Sequence, residues 1–406
     1  MSANVSNVPT ADRVSAWSIL AAFLRLGCTS FGGPIAHLGY FREEFVVRRR
    51  WLEEGQFAEM IALAQTLPGP ASTQVGFTVG LIKGGWRGAL AAWTGFTVPS
   101  AALMVAFAFA HRFFAGPHAL GIIHGLQIVA VAVIAQAVLM MQRNLAPDRV
   151  RATIAVLGAA VALFAPAYIG TVGAIGVGAA TGLIFCRGTR DDATTHSAFR
   201  VPLSKTVGGL LLSLFLVLLV VPTLVLARAS ISWLAVFQAF YRSGALVFGG
   251  GHVVLPLLQS AVVARGWLSE QTFLAGYGAA QAVPGPLFTF AAYLGADSNM
   301  SPNGIPGACL ALASIFLPGL LLVTGILPFW ASLRERPLVR EALAGVNASV
   351  VGVLGAALYK PVWLSTVLRP LDLVIAVAAF LLLVQWRVHP WKVVVLTAAI
   401  SAFLLR

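Results

Sequence analysis

Carboxylates are scarce in this chain: 14 Asp and Glu among 406 residues, with charged residues only 10% of the composition. A soluble domain carries about a quarter charged residues and under half apolar ones, whereas 59% of this chain is hydrophobic. An ordinary soluble enzyme, a disordered protein and a nucleic-acid binder are excluded. The net charge of +13 reflects few acids rather than many bases, of which there are 27. Those bases fall between apolar segments, where a membrane protein keeps its Lys and Arg. Cysteine is rarer still. Cys28, Cys186 and Cys309 are far apart, form no CxxC and are odd in number, so free thiols are expected, with no structural disulfide or metal site. The histidines (His37, His111, His118, His124, His196, His252 and His389) show no metal spacing. Nucleophile elbow, P-loop and HExxH motifs are all missing, which argues against ATP-driven transport by this chain alone. No cofactor is expected. The first apolar stretch begins near Ala16 without a small-residue cleavage site, so it reads as a retained span.

What the sequence does have is long apolar runs. A span needs roughly 20 apolar residues. Thirteen segments qualify as candidates: 15–38, 57–82, 88–110, 119–141, 151–166, 168–186, 206–227, 231–256, 272–296, 305–329, 339–358, 371–386 and 390–405. The short ones at the end of each half can be tilted hairpins. An all-α polytopic membrane protein follows.

The chain also repeats itself. FLRLGCTSFGGP (23–34) matches FYRSGALVFGGG (240–251) at an offset of 217. VVRRRWLEEGQF (46–57) then matches VVARGWLSEQTF (262–273), and AQTLPGP (64–70) matches AQAVPGP (280–286). Weaker correspondences join Pro99 to Pro318, Gly125 to Gly345 and Gln127 to Asn347. Shared apolar composition does not place Arg, Trp, Gln and two PGP motifs in one order, so the chain is read as a duplication. This gives an N-terminal repeat over 1–190, a linker with one transmembrane helix over 191–230 and a C-terminal repeat over 231–406. Each repeat holds about six spans or re-entrant segments, and the single linker span inverts the second copy relative to the first.

Basic residues test that topology. With the N-terminus inside, loops assigned to the inside hold sixteen Lys and Arg and those outside hold nine, the bias expected of a membrane protein. The loop at 42–56, placed outside with Arg42, Arg48, Arg49 and Arg50, is the exception. It can be an interfacial helix, or the first segments can be re-entrant.

Two formal charges fall deep inside the spans, Arg25 and Arg242. Each lies about ten residues into a helix, roughly 15 Å deep at 1.5 Å per residue. A lone intramembrane Arg is as easily a snorkelling structural group as a functional one. Recurrence at aligned positions favours a shared site. No Asp or Glu lies deep in any span, since Glu59, Glu341 and Asp372 sit near ends, so the expected guest is an anion. A guanidinium fork suits an oxyanion in bidentate fashion.

Pro68-Gly69-Pro70 and Pro284-Gly285-Pro286 interrupt apolar segments and should break their helices. Broken backbone at membrane depth is tolerated only where protein or an aqueous cavity covers it. The half-helices that follow would aim the N–H groups of Ala71, Ser72 and Thr73, or of Leu287, Phe288 and Thr289, at an anion. Gly32 and Gly33, with Gly249 and Gly250, are either an anion-binding nest or small-residue packing sites. Gln65 and Gln281 can donate to a ligand or to freed carbonyls. Gln127 and Asn347 read as helix-bridging groups. His37 and His252, near the glycine motifs, read first as hydrogen-bonding groups and second as proton carriers.

These strings, FGGP…RRRWL…QTLPGP repeated as FGGGH…RGWL…QAVPGP, resemble the chromate ion transporter (CHR) superfamily in its long two-domain form, over nearly the whole chain. The family motif falls on Arg25, Phe31, Gly32, Gly33, Trp51, Gln65, Pro68, Gly69 and Pro70. In the second copy it falls on Arg242, Phe248, Gly249, Gly250, Trp267, Gln281, Pro284, Gly285 and Pro286. The resemblance implies a secondary transporter in a bacterial inner membrane that exports chromate, confers chromate resistance, meets sulfate as a competitor and draws on the proton motive force. One departure is Gly251 where the first copy has Pro34.

The sequence therefore predicts a transporter binding a tetrahedral oxyanion between two halves that rock against each other. Uptake or exchange of sulfate or another inorganic anion is the alternative within transport. A membrane enzyme or assembly factor would need a convergent His, Cys and carboxylate cluster that the sequence does not present. Expected partners are chromate and membrane lipids, with no nucleic acid. A homodimer is compatible with the sequence.

Overall fold

The computed structural model describes residues 13–111, 117–165, 167–186, 203–333 and 336–404. The repeat boundary at 190 and most of the linker before α8 lie outside them. Among the described residues every regular element is helical, and the chain is an all-α polytopic membrane protein. Five helices are long and apolar enough to cross a membrane: Ala71–Ala110, His118–Leu145, Lys205–Leu226, Gly304–Leu333 and Pro337–Thr366. Others of the thirteen candidate segments are shorter apolar helices, among them Ala16–Thr29, Ile169–Phe185, Pro370–Val384 and Pro390–Leu404. Four of the thirteen, at 15–38, 57–82, 231–256 and 272–296, are broken in the middle, because glycine and proline interrupt the helix there.

The breaks reverse the chain. Helix α1 (Ala16–Thr29) is followed by α2 (Gly33–Arg42), which a π turn extends over Glu43–Arg48. The rings of Phe41 and Phe45 lie 5.5 and 4.8 Å from that of Phe23 in α1, so α2 runs back along α1 and the FGG motif is a hairpin tip. Helix α3 (Glu54–Thr66) leads to the PGP motif, and α4 (Ala71–Ala110) starts directly after it. Within α4, Gly85 has φ 63 and is not helical. The segment before it folds against the segment after it, with Gly80 packed on Gly88. The first part of α4 thus returns beside α3, and the second part crosses the molecule. The Val14 amide donates to the Lys83 carbonyl at 2.9 Å, and a cleft is lined by Val46, Arg50, Trp51, Glu53, Gln56 and Lys83. Both hairpins therefore open at one face, here the near face. The 42–56 loop sits there too, beside Lys83, and not at the opposite face as continuous spans would require.

Helix α5 (Pro117–Leu145) returns, and α6 (Arg149–Phe164) and α7 (Ala167–Phe185) pair with each other. Helix α8 (Lys205–Leu226) leads to the far face and packs on α9 and α13. The second half then follows the order of the first. Helix α9 (Ser232–Ala245) breaks at Phe248–Gly250 and continues as a 3-10 turn (Gly251–Val253), α10 (Val254–Leu258) and a π turn (Gln259–Val263). Helix α11 (Glu270–Ala280) breaks at the second PGP and resumes as a 3-10 turn (Leu287–Thr289) and α12 (Phe290–Asp297). Helix α13 (Gly304–Ile326), with α14 (Trp330–Leu333), crosses to the near face. Helix α15 (Pro337–Ala357), a π turn (Leu358–Trp363) and α16 (Leu364–Thr366) return, and α17 (Pro370–Val384) and α18 (Pro390–Leu404) close the chain.

Aligned positions make like contacts. The π turns start at the aligned Glu43 and Gln259. Arg49 lies over the Trp51 ring at 5.0 Å, and Arg265 over the Trp267 ring at 5.3 Å. Gly295, one residue before the position aligned with Gly80, packs on Gly307 as Gly80 does on Gly88. Small residues also admit α6 and α7 to α15. Gly158 and Gly178 abut Ser349, whose hydroxyl donates to the Ala174 carbonyl at 2.6 Å, the close packing that membrane helices favour.

Candidate functional site

The four hairpin tips meet inside the molecule. The Gly69 amide of the first PGP donates to the Val247 carbonyl beside the second FGG, at 2.8 Å. The Gly285 amide of the second PGP donates to the Ser30 carbonyl beside the first FGG, also at 2.8 Å. The two FGG tips touch as well. A Cβ at Gly251 would stand 3.6 Å from Cγ of Pro34, its aligned residue. The one departure between the copies therefore falls where they contact each other. Where the first copy has a ring, the second has none.

All six motif glycines have positive φ, from 74° at Gly249 to 143° at Gly250. At Gly69 and Gly285 this is a strict requirement. A Cβ on Gly69 would meet Gln74 Nε2 at 2.8 Å and Gly319 Cα at 3.0 Å, and one on Gly285 would meet Ser100 Oγ at 2.8 Å. Each break then restarts without a side-chain cap, at Gly32, Pro70, Gly250 and Pro286. Leading N–H groups of a helix carry partial positive charge and take anions when no side chain occupies them. The two PGP restarts differ. Helix α4 begins at once with Ala71, whereas Leu287–Thr289 is a 3-10 turn in which the Thr289 hydroxyl donates to the Pro286 carbonyl at 2.8 Å.

First-half side chains line this junction. His37 is buried, with Nε2 3.2 Å from the Ser30 carbonyl and Nδ1 3.3 Å from Ser72 Oγ. A carbonyl only accepts, so Nε2 carries the hydrogen and Nδ1 accepts from Ser72. Gln74 Nε2 donates to the carbonyls of Pro68 and Gly319 at 2.9 and 3.1 Å. Ser30 Oγ, Thr73 Oγ1 and Thr97 Oγ1 are buried without a hydrogen-bond partner among the described residues. Ser30, Gln74, Thr97 and Ser100 are absent from the sequence reading. None of them recurs at its aligned position, so the repeat gave no sign of them.

The expected arginines are placed differently from each other. Arg242 is half-buried in the last turn of α9. Arg25 is exposed, which corrects the picture of two charges in a buried interior. Helix α1 is a hairpin arm that turns Phe23, Leu26 and Gly27 toward α4 and leaves Arg25 on its outer side with Leu24 and Cys28. Gln65 and Gly32 are exposed, and Gln281 and Gly33 are half-buried. Among the described residues no three His, Cys, Asp or Glu side chains gather as metal ligands, and the three cysteines are free.

The family profile described as "Chromate transporter" matches the chain twice, over residues 17–184 and 234–403. A protein of Synechococcus elongatus named as a probable chromate transport protein is 28% identical over 339 residues, covering 82% of this chain and 81% of its own. The chromate transport protein of Pseudomonas aeruginosa is 28% identical over 344 residues, covering 83% and 79%. That of Cupriavidus metallidurans is 27% identical over 382 residues, covering 93% and 90%. No solved structure matches the chain.

Proposed function

Because this chain belongs to the chromate transporter family, we propose that it is a secondary transporter that exports chromate from the cytoplasm of a bacterial cell and so confers chromate resistance. The observation that carries the reading is the meeting of four uncapped chain breaks at one junction. A tetrahedral dianion is what such a set of N–H donors suits. Arg242, half-buried at the end of α9, and Arg25, exposed on the outer side of α1, supply formal charge. The hydroxyl of Thr73 and the amides of Gln65 and Gln281 complete the donor set, while Ser72, whose hydroxyl hydrogen goes to His37, offers its backbone N–H.

In this reading the halves are inverted copies, with hairpins entering from opposite faces and α8 as the span between them. Basic residues support the orientation. At the near face the described ones are Arg13, Arg42, Arg48, Arg49, Arg50, Lys83, Arg87, Arg143, Arg149, Arg151, Lys205, Arg336, Arg340, Arg387 and Lys392. At the far face they are Arg228, Arg265, Lys360 and Arg369. Fifteen against four makes the near face cytoplasmic. Re-entrance removes the exception at 42–56, whose four arginines join the majority. Alternating access is a rocking of one half on the other about the junction.

The test is labelled chromate flux into inverted vesicles containing only this protein, with and without a pH gradient and excess sulfate. Accumulation that depends on the protein and on the gradient is the expected result. Uptake in the opposite sense, or flux of sulfate alone, would replace export of chromate with general anion exchange. No flux of any oxyanion would remove the transport reading in favour of an enzyme or assembly factor.

A further inference from the structure

Beyond the junction, each half sends one long arm across the molecule, and the two arms are built alike. One starts at Gly85 and the other at Gly304, 219 residues on, with φ of 63° and 59°. Each carries a proline inside its helix, Pro99 or Pro318, at the same spacing. Each ends 26 residues after its glycine in a ring that bears an N–H, His111 or Trp330. At 1.5 Å per residue such an arm is about 39 Å long, enough to carry its tip to the opposite face. Each tip meets a carboxylate of the other half. At the near face Trp330 Nε1 donates to Glu59 Oε2 at 2.9 Å, and both residues are buried. At the far face His111 Nε2 lies 3.3 Å from Asp297 Oδ2. The carboxylates come from unlike places, Glu59 from α3 and Asp297 from the end of α12, so only the arms are repeated. Apolar groups back each tip. Leu63, Leu67 and Phe77 cluster with Val323 and Leu327 beside Trp330. The rings of Phe107 and Tyr293 each lie 5.8 Å from that of His111.

We propose that these two contacts are the gates of the transporter: Trp330 on Glu59 closes the near side, His111 on Asp297 closes the far side, and rocking opens one at a time. The proposal rests on the transport reading above. The hairpin groups α1–α4 and α9–α14 are bonded backbone to backbone at the junction, which makes the junction the pivot. Contacts at a pivot persist through a rotation, whereas the arm tips, farthest from it, travel most. Both gates are shut in this structure, which is the occluded form. Opening the near gate admits water to Glu59, and water replaces the lost donor, so the bond contributes little net and the step is reversible. A third tie between the halves, His124 Nε2 at 3.1 Å from Asp372 Oδ1, joins α5 to α17 and lies outside both arms. Asp372 also accepts the amides of Leu368 and Arg369. That tie can hold while either gate opens.

The test is the rate at which a membrane-impermeant maleimide labels one introduced cysteine, in a full chain whose three native cysteines are replaced by serine. Leu67→Cys, at a buried position of the near-side apolar group, reports the near gate in inverted vesicles. Ala108→Cys, at a buried position one turn before His111, reports the far gate in right-side-out vesicles. Trp330→Phe keeps an aromatic ring and removes the N–H. It should raise labelling at Leu67→Cys about fivefold, the effect of one net hydrogen bond on a two-state equilibrium, without raising that at Ala108→Cys. His111→Phe should do the reverse. Glu59→Gln, whose amide oxygen still accepts from Trp330, should label as wild type. A rise at both positions in either variant is general loosening and would overturn the proposal, as would no rise at either. If Trp330→Phe does not reach the membrane, Glu59→Leu makes the same comparison. Labelling needs no flux. Reciprocal labelling in a chain that moves no oxyanion would keep the gates and remove the transport reading, and flux without reciprocity would do the opposite.

Discussion

The amide of Gly69 donates to the carbonyl of Val247, and the amide of Gly285 donates to the carbonyl of Ser30, each at 2.8 Å. Donors and acceptors are aligned residues of the two copies, so each half completes the backbone of the other. The Gly285 contact adds to His37 on the Ser30 carbonyl. These bonds join the halves at the level of the chain breaks, where an unpaired amide or carbonyl in an apolar surround would cost several kcal/mol.

Substituting alanine at Gly69 or Gly285 should therefore damage both stability and transport. The added Cβ meets atoms at 2.8 Å in either case, and φ is 123° and 93°. A loss of about 1–3 kcal/mol each is expected from strain and overpacking. Thermal unfolding in detergent and chromate flux in vesicles measure the two effects. A Gly69→Ala protein that melts and transports as wild type would remove the junction from the mechanism.

Arg25→Ala and Arg242→Ala should each abolish chromate resistance in cells that still carry the protein in the membrane. Lysine at either position should recover little, since a point charge lacks the guanidinium fork. The burial difference adds a distinction. Exposed Arg25 should act through charge, with an effect that weakens as salt rises, whereas half-buried Arg242 should be insensitive to salt. Resistance assays with membrane-fraction immunoblots, repeated at two ionic strengths in vesicles, test both.

Arg50 takes φ 52, and its aligned residue is Gly266 at φ 72. The second copy has the residue that the left-handed region favours, and the first does not. Arg50→Gly should stabilise the chain by about 0.5–1 kcal/mol, the relief of strain less the greater freedom of glycine when unfolded. A melting temperature equal to or below that of wild type would count against this account.

Asp148 caps α6, accepting the Arg151 amide at 2.9 Å, while its other oxygen takes the Arg151 Nε. Those hydrogen bonds, the backbone one first, hold its carboxyl below the ordinary carboxylate range. The stabilisation is complete above the unfolded-state value of about 4 and is lost as pH falls through the lower folded value. Asp148→Ala should cost about 1 kcal/mol at neutral pH and little at strongly acid pH, as melting curves at the two conditions would report.

Punctuation made much of this legible in the sequence. Two FGG motifs 217 residues apart and two PGP motifs 216 apart announced broken helices and a duplication. Re-entrance was harder to see, because half of a hairpin and half of a span have the same composition. Only the misplaced charge at 42–56 hinted at it. The exposure of Arg25 depends on which side of α1 meets α4, and apolar residues on every side of that helix leave the question open. The His124–Asp372 pair joins residues 248 apart, one of them at a helix start where an aspartate looks like an ordinary cap. Asp372 is both cap and bridge, and sequence shows only the first.

Helix α8 packs on α9 and α13, both in the second half, and exposes Leu210, Leu214, Leu216, Val217, Val220, Val221 and Leu224. It stands outside the junction as an outrigger in lipid. In the proposed inverted arrangement its contribution is parity: one additional crossing gives the second copy the opposite sense to the first. Every bond described between the halves is non-covalent and independent of that tether. Two shorter polypeptides, inserted in opposite senses, would form the same junction, and a gene severed ahead of Leu203 would encode such a pair.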